Sequence, residues 1–454
     1  MAASQYDPDN PQHRAILNRV AWRLVPLLAA MYSMAYLDRI NIGSAALTMN
    51  ADLGISPSVF GLATSVFLVG YLVLEIPSNL LFVRFGARIW LTRIMLTWGA
   101  ISAATAFIQS PTQLVIARIL LGIAEAGFFP GMILYLAMWF PKEVRGRMFF
   151  LTTLPFAVIV GAPASTALIQ YTDGWFGIAG WRIMFFVEGL LPIALGLITA
   201  RYLTSKPSEA TWLPERDRQW LSSVVEVSGS EKHSVLASLK LVFGNAQLAL
   251  FALAYGLLQM GFYAQLIFTP QIIAAFGATF QVSLSVVQIG LLTAIPSVIG
   301  TIANYFWARH SDRTNERIWH ATVGAAICSS GVILCVASKN VVVLLAGLTM
   351  LQGGLMFALV PLWQLPTRGL STSAAAVVIA VVNSVGIVGS FISPLVIGWL
   401  RERTGSFDSG LIFIAAMLAL AGLCIVVGGT VFERRRLERE RLLGLNILST
   451  GEPS

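Results

Sequence analysis

The 454-residue sequence has little charge: Asp, Glu, Lys and Arg together make up 11% of it, whereas soluble domains carry roughly 25%. A water-soluble fold is excluded. Cysteine is scarce as well. Cys328, Cys335 and Cys424 all fall inside apolar runs, at spacings that suit neither a disulfide framework nor a metal site, and they read as packing residues. The histidines, His13, His233, His310 and His320, fall in loops or at helix ends. With no nucleophile beside a base and no cluster of histidines and carboxylates, nothing points to an enzyme, a metal or a cofactor. The polar N-terminal stretch Met1–Arg23 lacks the short apolar core and small-residue cleavage site of a signal peptide, so the first apolar run is expected to remain in the protein.

Hydrophobic sequence is what the chain has in excess, at 56% of residues with a mean hydropathy of +0.76. A span takes about 20 apolar residues. Such runs recur near 24–48, 58–82, 89–109, 112–138, 146–170 and 179–203, and again near 246–275, 284–308, 319–338, 341–365, 372–399 and 409–432. The expected fold class is therefore an all-α membrane protein of twelve transmembrane helices. Two pseudo-symmetric six-helix halves, 24–203 and 246–432, are flanked by tails at 1–23 and 433–454 and separated by a polar loop at 204–245.

The net charge of +8 sits in alternate loops. Clusters at Arg14, Arg19 and Arg23, at Arg84 and Arg88, at Lys142, Arg145 and Arg147, and at Arg309, Arg313 and Arg317 alternate with loops almost free of cations. This is the positive-inside pattern of a chain in contact with lipid, not a nucleic-acid patch, and it predicts that both termini are cytoplasmic.

The informative residues are charges in mid-helix, since each costs on the order of 2.5–3.5 kcal/mol at the bilayer centre. These are Asp38 and Arg39 in the first run, Glu75 in the second, Arg118 and Glu125 in the fourth and Glu188 in the sixth. Arg118 and Glu125 are seven residues apart, which returns to nearly the same helix face after a rise of about 10.5 Å. Tyr71 and Glu75, one turn apart, also share a face. Asp38 and Arg39 point about 100° apart and must serve different neighbours.

With no histidine in a span, any transported proton has to travel on a carboxylate. Asp38 and Glu125 are the candidates, with Arg118 as the partner that tunes one of them. Arg39, a planar fork suited to carboxylate, is the candidate substrate anchor. The alternative is a buried ion pair that only fixes helix packing, and Glu75 and Glu188, read as closer to turns, are assigned that part. The second half has no mid-span charge but offers Gln259, Tyr263, Gln265, Trp363, Gln364, Asn383 and Ser384, which either read the substrate or join helices.

Several segments together resemble the major facilitator superfamily, and within it the anion:cation symporter family of tartrate-, galactonate-, rhamnonate- and hydroxyphenylacetate-type permeases. They are Tyr36-Leu37-Asp38-Arg39-Ile40-Asn41-Ile42-Gly43, Glu75-Ile76-Pro77-Ser78-Asn79, the run from Arg118 to Gly131, Trp139-Phe140-Pro141, and Gly180-Trp181-Arg182 with Glu188-Gly189. The resemblance implies a substrate carboxylate on Arg39 with Tyr36 and Tyr71 nearby, proton exchange at Asp38 and Glu125, Arg118 as switching partner, and second-half contacts at Gln259, Trp363 and Asn383. It departs at Val83, where the superfamily usually has Asp, and at Ile387, where relatives often carry a second Asn. The expected function is uptake of a small organic anion by proton symport through alternating access in a bacterial inner membrane, by a monomer. Uncoupled diffusion or exchange of organic anions is the alternative.

Overall fold

The computed structural model describes residues 6–153, 156–225, 240–366 and 372–442. Glu231, Lys232 and His233 of the central loop and the tail beyond residue 442 lie outside the described residues. The described residues are helical, with α1 (Pro11–Asp52), α2 (Pro57–Phe85), α3 (Ala87–Ala104), α4 (Pro111–Glu125), α5 (Phe128–Trp139), α6 (Lys142–Thr152), α7 (Phe156–Thr172) and α8 (Gly180–Tyr202) in the first half. The short α9 (Glu215–Val224) precedes α10 (Ala246–Thr279), α11 (Val286–Thr314), α12 (Ile318–Ala337), α13 (Val341–Leu362), α14 (Thr372–Thr404) and α15 (Asp408–Leu442).

The helix starts follow from local chemistry. Asn10-Pro11, Ser56-Pro57 and Ser110-Pro111 each place an accepting side chain at the cap and a proline, which has no N–H to satisfy, at the first helical position. Eleven stretches among the described residues are long and apolar enough to cross a membrane. The twelfth is α3, whose hydropathy is lowered by Arg88 and Arg93.

One predicted span is not continuous. The fourth breaks between α4 and α5, because Gly127 adopts φ +85° and a Cβ there would run into the Ser78 side chain. The break is satisfied locally: Ser78 Oγ donates to the Ala126 carbonyl at 2.6 Å and accepts from Trp90 Nε1 at 2.9 Å. The fifth comprises α6 and α7, on either side of residues 154–155, which lie outside the described residues.

The halves meet through α2 on α14, α7 on α11, and α1 on α10. Exchanging the halves maps the first of these contacts onto the second, as expected for a repeated six-helix unit. Contact is tight at the end away from the termini. There Glu402 Oε2 accepts from Ser56 Oγ and the Ser58 N–H, both at 2.8 Å, and the Val287 N–H donates to Gln170 Oε1 at 2.9 Å. Gly61 lies against the Pro394 carbonyl and Gly398 against that of Pro57, approaches that leave no room for a Cβ. At the termini end, a cavity of about 1130 Å³ separates the halves, lined by Phe149, Phe150 and Thr153 on one side and by Arg309, Asp312 and Arg313 on the other.

Candidate functional site

Above that cavity, and sharing Tyr32, Tyr36 and Phe262 with it, is a chamber of about 180 Å³. Arg39, Tyr36, Tyr71, Gln259 and Asn383 all line it, with Glu75, Tyr255, Tyr263, Ile387 and Ser390. Trp363 borders the larger cavity instead and meets Tyr255 edge-on, ring centroids 4.7 Å apart. The substrate-contact candidates of the sequence thus converge on one connected space between the halves, although they come from α1, α2, α10, α14 and the end of α13.

Arg39 forms the wall of the chamber. Its Nη2 lies 2.5 Å from Glu125 Oε1, and its guanidinium carbon is 5.6–5.7 Å from the ring centres of Tyr36, Phe67 and Tyr71. The Glu125 side chain is fully buried while Arg39 keeps 19% exposure, so the cation faces the open space and the acid lies behind it. Glu125 Oε2 and Arg39 Nε have no hydrogen-bond partner among the described residues. Both atoms are free to take one.

Arg118, expected to tune Asp38 or Glu125, lies within electrostatic reach of both without bonding either among the described residues. Glu125 is bonded to Arg39, and Arg118, 3% exposed, makes no ion pair among the described residues. Seven residues of α4 put Arg118 about 10.5 Å from Glu125 along the axis. Its guanidinium carbon rests 4.9 Å from the Phe67 ring centre. Asp38 points the other way from Arg39, into the bundle, where Trp98 Nε1 donates to Oδ2 at 2.9 Å and Ser102 Oγ donates to Oδ1.

The sequence reading placed Glu75 and Glu188 near turns; both lie well inside helices. Glu75 lines the chamber. Glu188 is buried in α8 and accepts from Ser165 and Asn41. That network, the Trp98–Ser102 cradle of Asp38, and Asn304 and Gln352 on the larger cavity escaped the sequence reading. Neutral Asn, Ser and Trp residues are common in spans, and nothing in their spacing marks these.

The sequence model of the Major Facilitator Superfamily matches residues 28–394. The chain belongs to that superfamily. It is 40% identical over 424 residues to a "Putative tartrate transporter" of Agrobacterium vitis, covering 92% of each chain. It is 35% identical over 439 residues to a "Quinolone resistance transporter" of Acinetobacter baumannii, covering 95% of this chain and 98% of that one. The fold also matches an inward-facing, occupied bacterial homologue of the human lysosomal transporter Spinster, with a TM-score of 0.72 at 14% identity over 94% of this chain and 98% of that one. This superfamily member is a multi-pass membrane protein and a transporter of organic substrates.

Proposed function

We propose that the protein takes up a small organic carboxylate together with protons, by alternating access. The observation that carries this reading is the Arg39–Glu125 pair on the chamber wall. A substrate carboxylate competes with Glu125 for the Arg39 fork. Protonation of Glu125 releases the fork, so anion binding and proton binding favour one another. Asp38, held by neutral donors, is the second acid, and Arg118, near both, is the cation that shifts between them. The chamber's volume of about 180 Å³ suits an acid of a few carbons, being smaller than the sites of drug-sized ligands. Tyr255, Gln259, Tyr263, Asn383 and Ser390 supply hydroxyl and amide groups opposite the cation.

Tartrate is the first candidate, from the name of the Agrobacterium relative; the differently named Acinetobacter relative shows that the superfamily alone does not fix the substrate. The Arg and Lys clusters at the termini end support a cytoplasmic placement of that end, so the large cavity opens inward. Ligand-induced thermal stabilisation of the purified protein is the test. Tartrate at 100 times its dissociation constant stabilises by about 2.7 kcal/mol, more strongly at acid than at alkaline pH. Stabilisation that ignores pH contradicts the linkage of anion to proton.

A further inference from the structure

Glu188 is the buried acid that this scheme leaves unused. It sits in the middle of α8, 4% exposed. Its Oε1 accepts from Ser165 Oγ at 2.7 Å and its Oε2 from Asn41 Nδ2 at 3.0 Å. Both donors are neutral, and Glu188 makes no ion pair among the described residues. The same Asn41 nitrogen lies 3.4 Å from Asp38 Oδ1, so one amide stands between two carboxyl groups. Asn41 is itself fully buried, and its Oδ1 has no partner among the described residues.

No cation faces Glu188 itself among the described residues; Arg118 of α4 acts on Asp38, on the far side of Asn41. The elements packed on α8 are α1, α3, α7 and the turn at 105–107. Asp38 faces Glu188 from α1 across Asn41, and Ser165 faces it from α7. On α3, Trp98 and Ser102 are engaged with Asp38, and Arg93 rests over Trp90. The turn offers no charged group. The nearest cation along α8, Arg182, donates to the carbonyls of Ala106 and Ile108. Two carboxylates that share one neutral donor in a low-dielectric interior repel each other, and a single proton between them removes the conflict.

We propose that Glu188 and Asp38 form a proton-sharing pair bridged by Asn41, which makes Glu188 a further proton carrier of the transport cycle. The pair takes up one proton: an O–H bond forms on either carboxyl and one negative charge is removed, which leaves the other carboxylate as the acceptor of the Asn41 amide. A half-turn of the Asn41 amide puts Oδ1 where Nδ2 stands, as the acceptor for whichever acid holds the proton. The place of the pair in transport rests on the symport reading; the shared proton does not.

Infrared titration of the purified full-length protein tests the pair without a substrate. A protonated-carboxyl band present at neutral pH is lost in Glu188→Gln. Asp38→Asn, by removing the neighbouring charge, shifts the pH at which that band disappears. Ser165→Ala takes a donor from the charged form and keeps the band to higher pH, which preserves the test should Glu188→Gln fail to fold. Identical bands in wild type and Glu188→Gln, or a Glu188 titration indifferent to Asp38→Asn, overturn the pair.

In proteoliposomes, the proton-to-tartrate ratio read from the reversal potential falls in Glu188→Gln; an unchanged ratio removes Glu188 from the cycle. Wild-type uptake that ignores a proton gradient counts against the symport reading instead, and the infrared titration then decides the pair alone.

Discussion

Arg39 and Glu125 meet at 2.5 Å across the boundary between chamber and protein interior, the cation partly exposed and the acid fully buried. Removing one partner strands the other. Arg39→Ala is expected to abolish tartrate-induced stabilisation and, by leaving a buried carboxylate without its cation, to cost about 3–5 kcal/mol of stability. Arg39→Ala combined with Glu125→Gln recovers most of that stability but not the binding, which a double-mutant cycle of thermal unfolding measures.

Arg39→Lys provides a sharper test of geometry. A lysine keeps the charge but presents a point where the guanidinium presents a fork. Tartrate affinity falls at least tenfold, by calorimetry, while the unfolding temperature stays closer to wild type than that of the alanine variant. Equal affinity for Lys and Arg contradicts bidentate capture of a carboxylate.

Much of the fold was legible in the sequence. The apolar runs place the helices and the alternating cation clusters show which ends lie together, although α1 starts at Pro11, inside the stretch expected to be a polar tail. The break between α4 and α5 was not legible, since Gly127 reads like any other small residue of a span until Ser78 of a different helix is seen against it. The chamber residues were individually visible as polar groups in apolar runs. Which acid pairs with which cation was not, because that depends on the depth at which side chains of different helices meet, as Arg39 of α1 meets Glu125 of α4.

Gly127 makes the break testable. An alanine there must hold φ near +85° against Ser78, and strained backbone of this kind costs of order 1–3 kcal/mol. Gly127→Ala is expected to lower the unfolding temperature accordingly, by differential scanning calorimetry; an unchanged unfolding temperature contradicts the strain.

The turn between α11 and α12 carries a pH dependence outside the membrane. Burial works upward on the Glu316 carboxyl, but the N–H groups of Trp319 and His320 and the His320 ring, 2.8 Å away, together hold it below the ordinary carboxylate range. A depressed folded value stabilises the native turn above the unfolded value, and that contribution is lost as pH falls through the depressed one. Amide exchange at this turn is expected to quicken in acid in the wild type, and to lose that acid dependence in Glu316→Gln.

The central claim, coupling of anion to proton through Glu125, is tested most directly by tartrate uptake into proteoliposomes at clamped voltage, with and without an inward proton gradient. The account predicts that the gradient drives accumulation in the wild type, and that Glu125→Gln binds and exchanges tartrate but no longer accumulates it. Accumulation by Glu125→Gln equal to wild type, or wild-type uptake indifferent to the gradient, would contradict it.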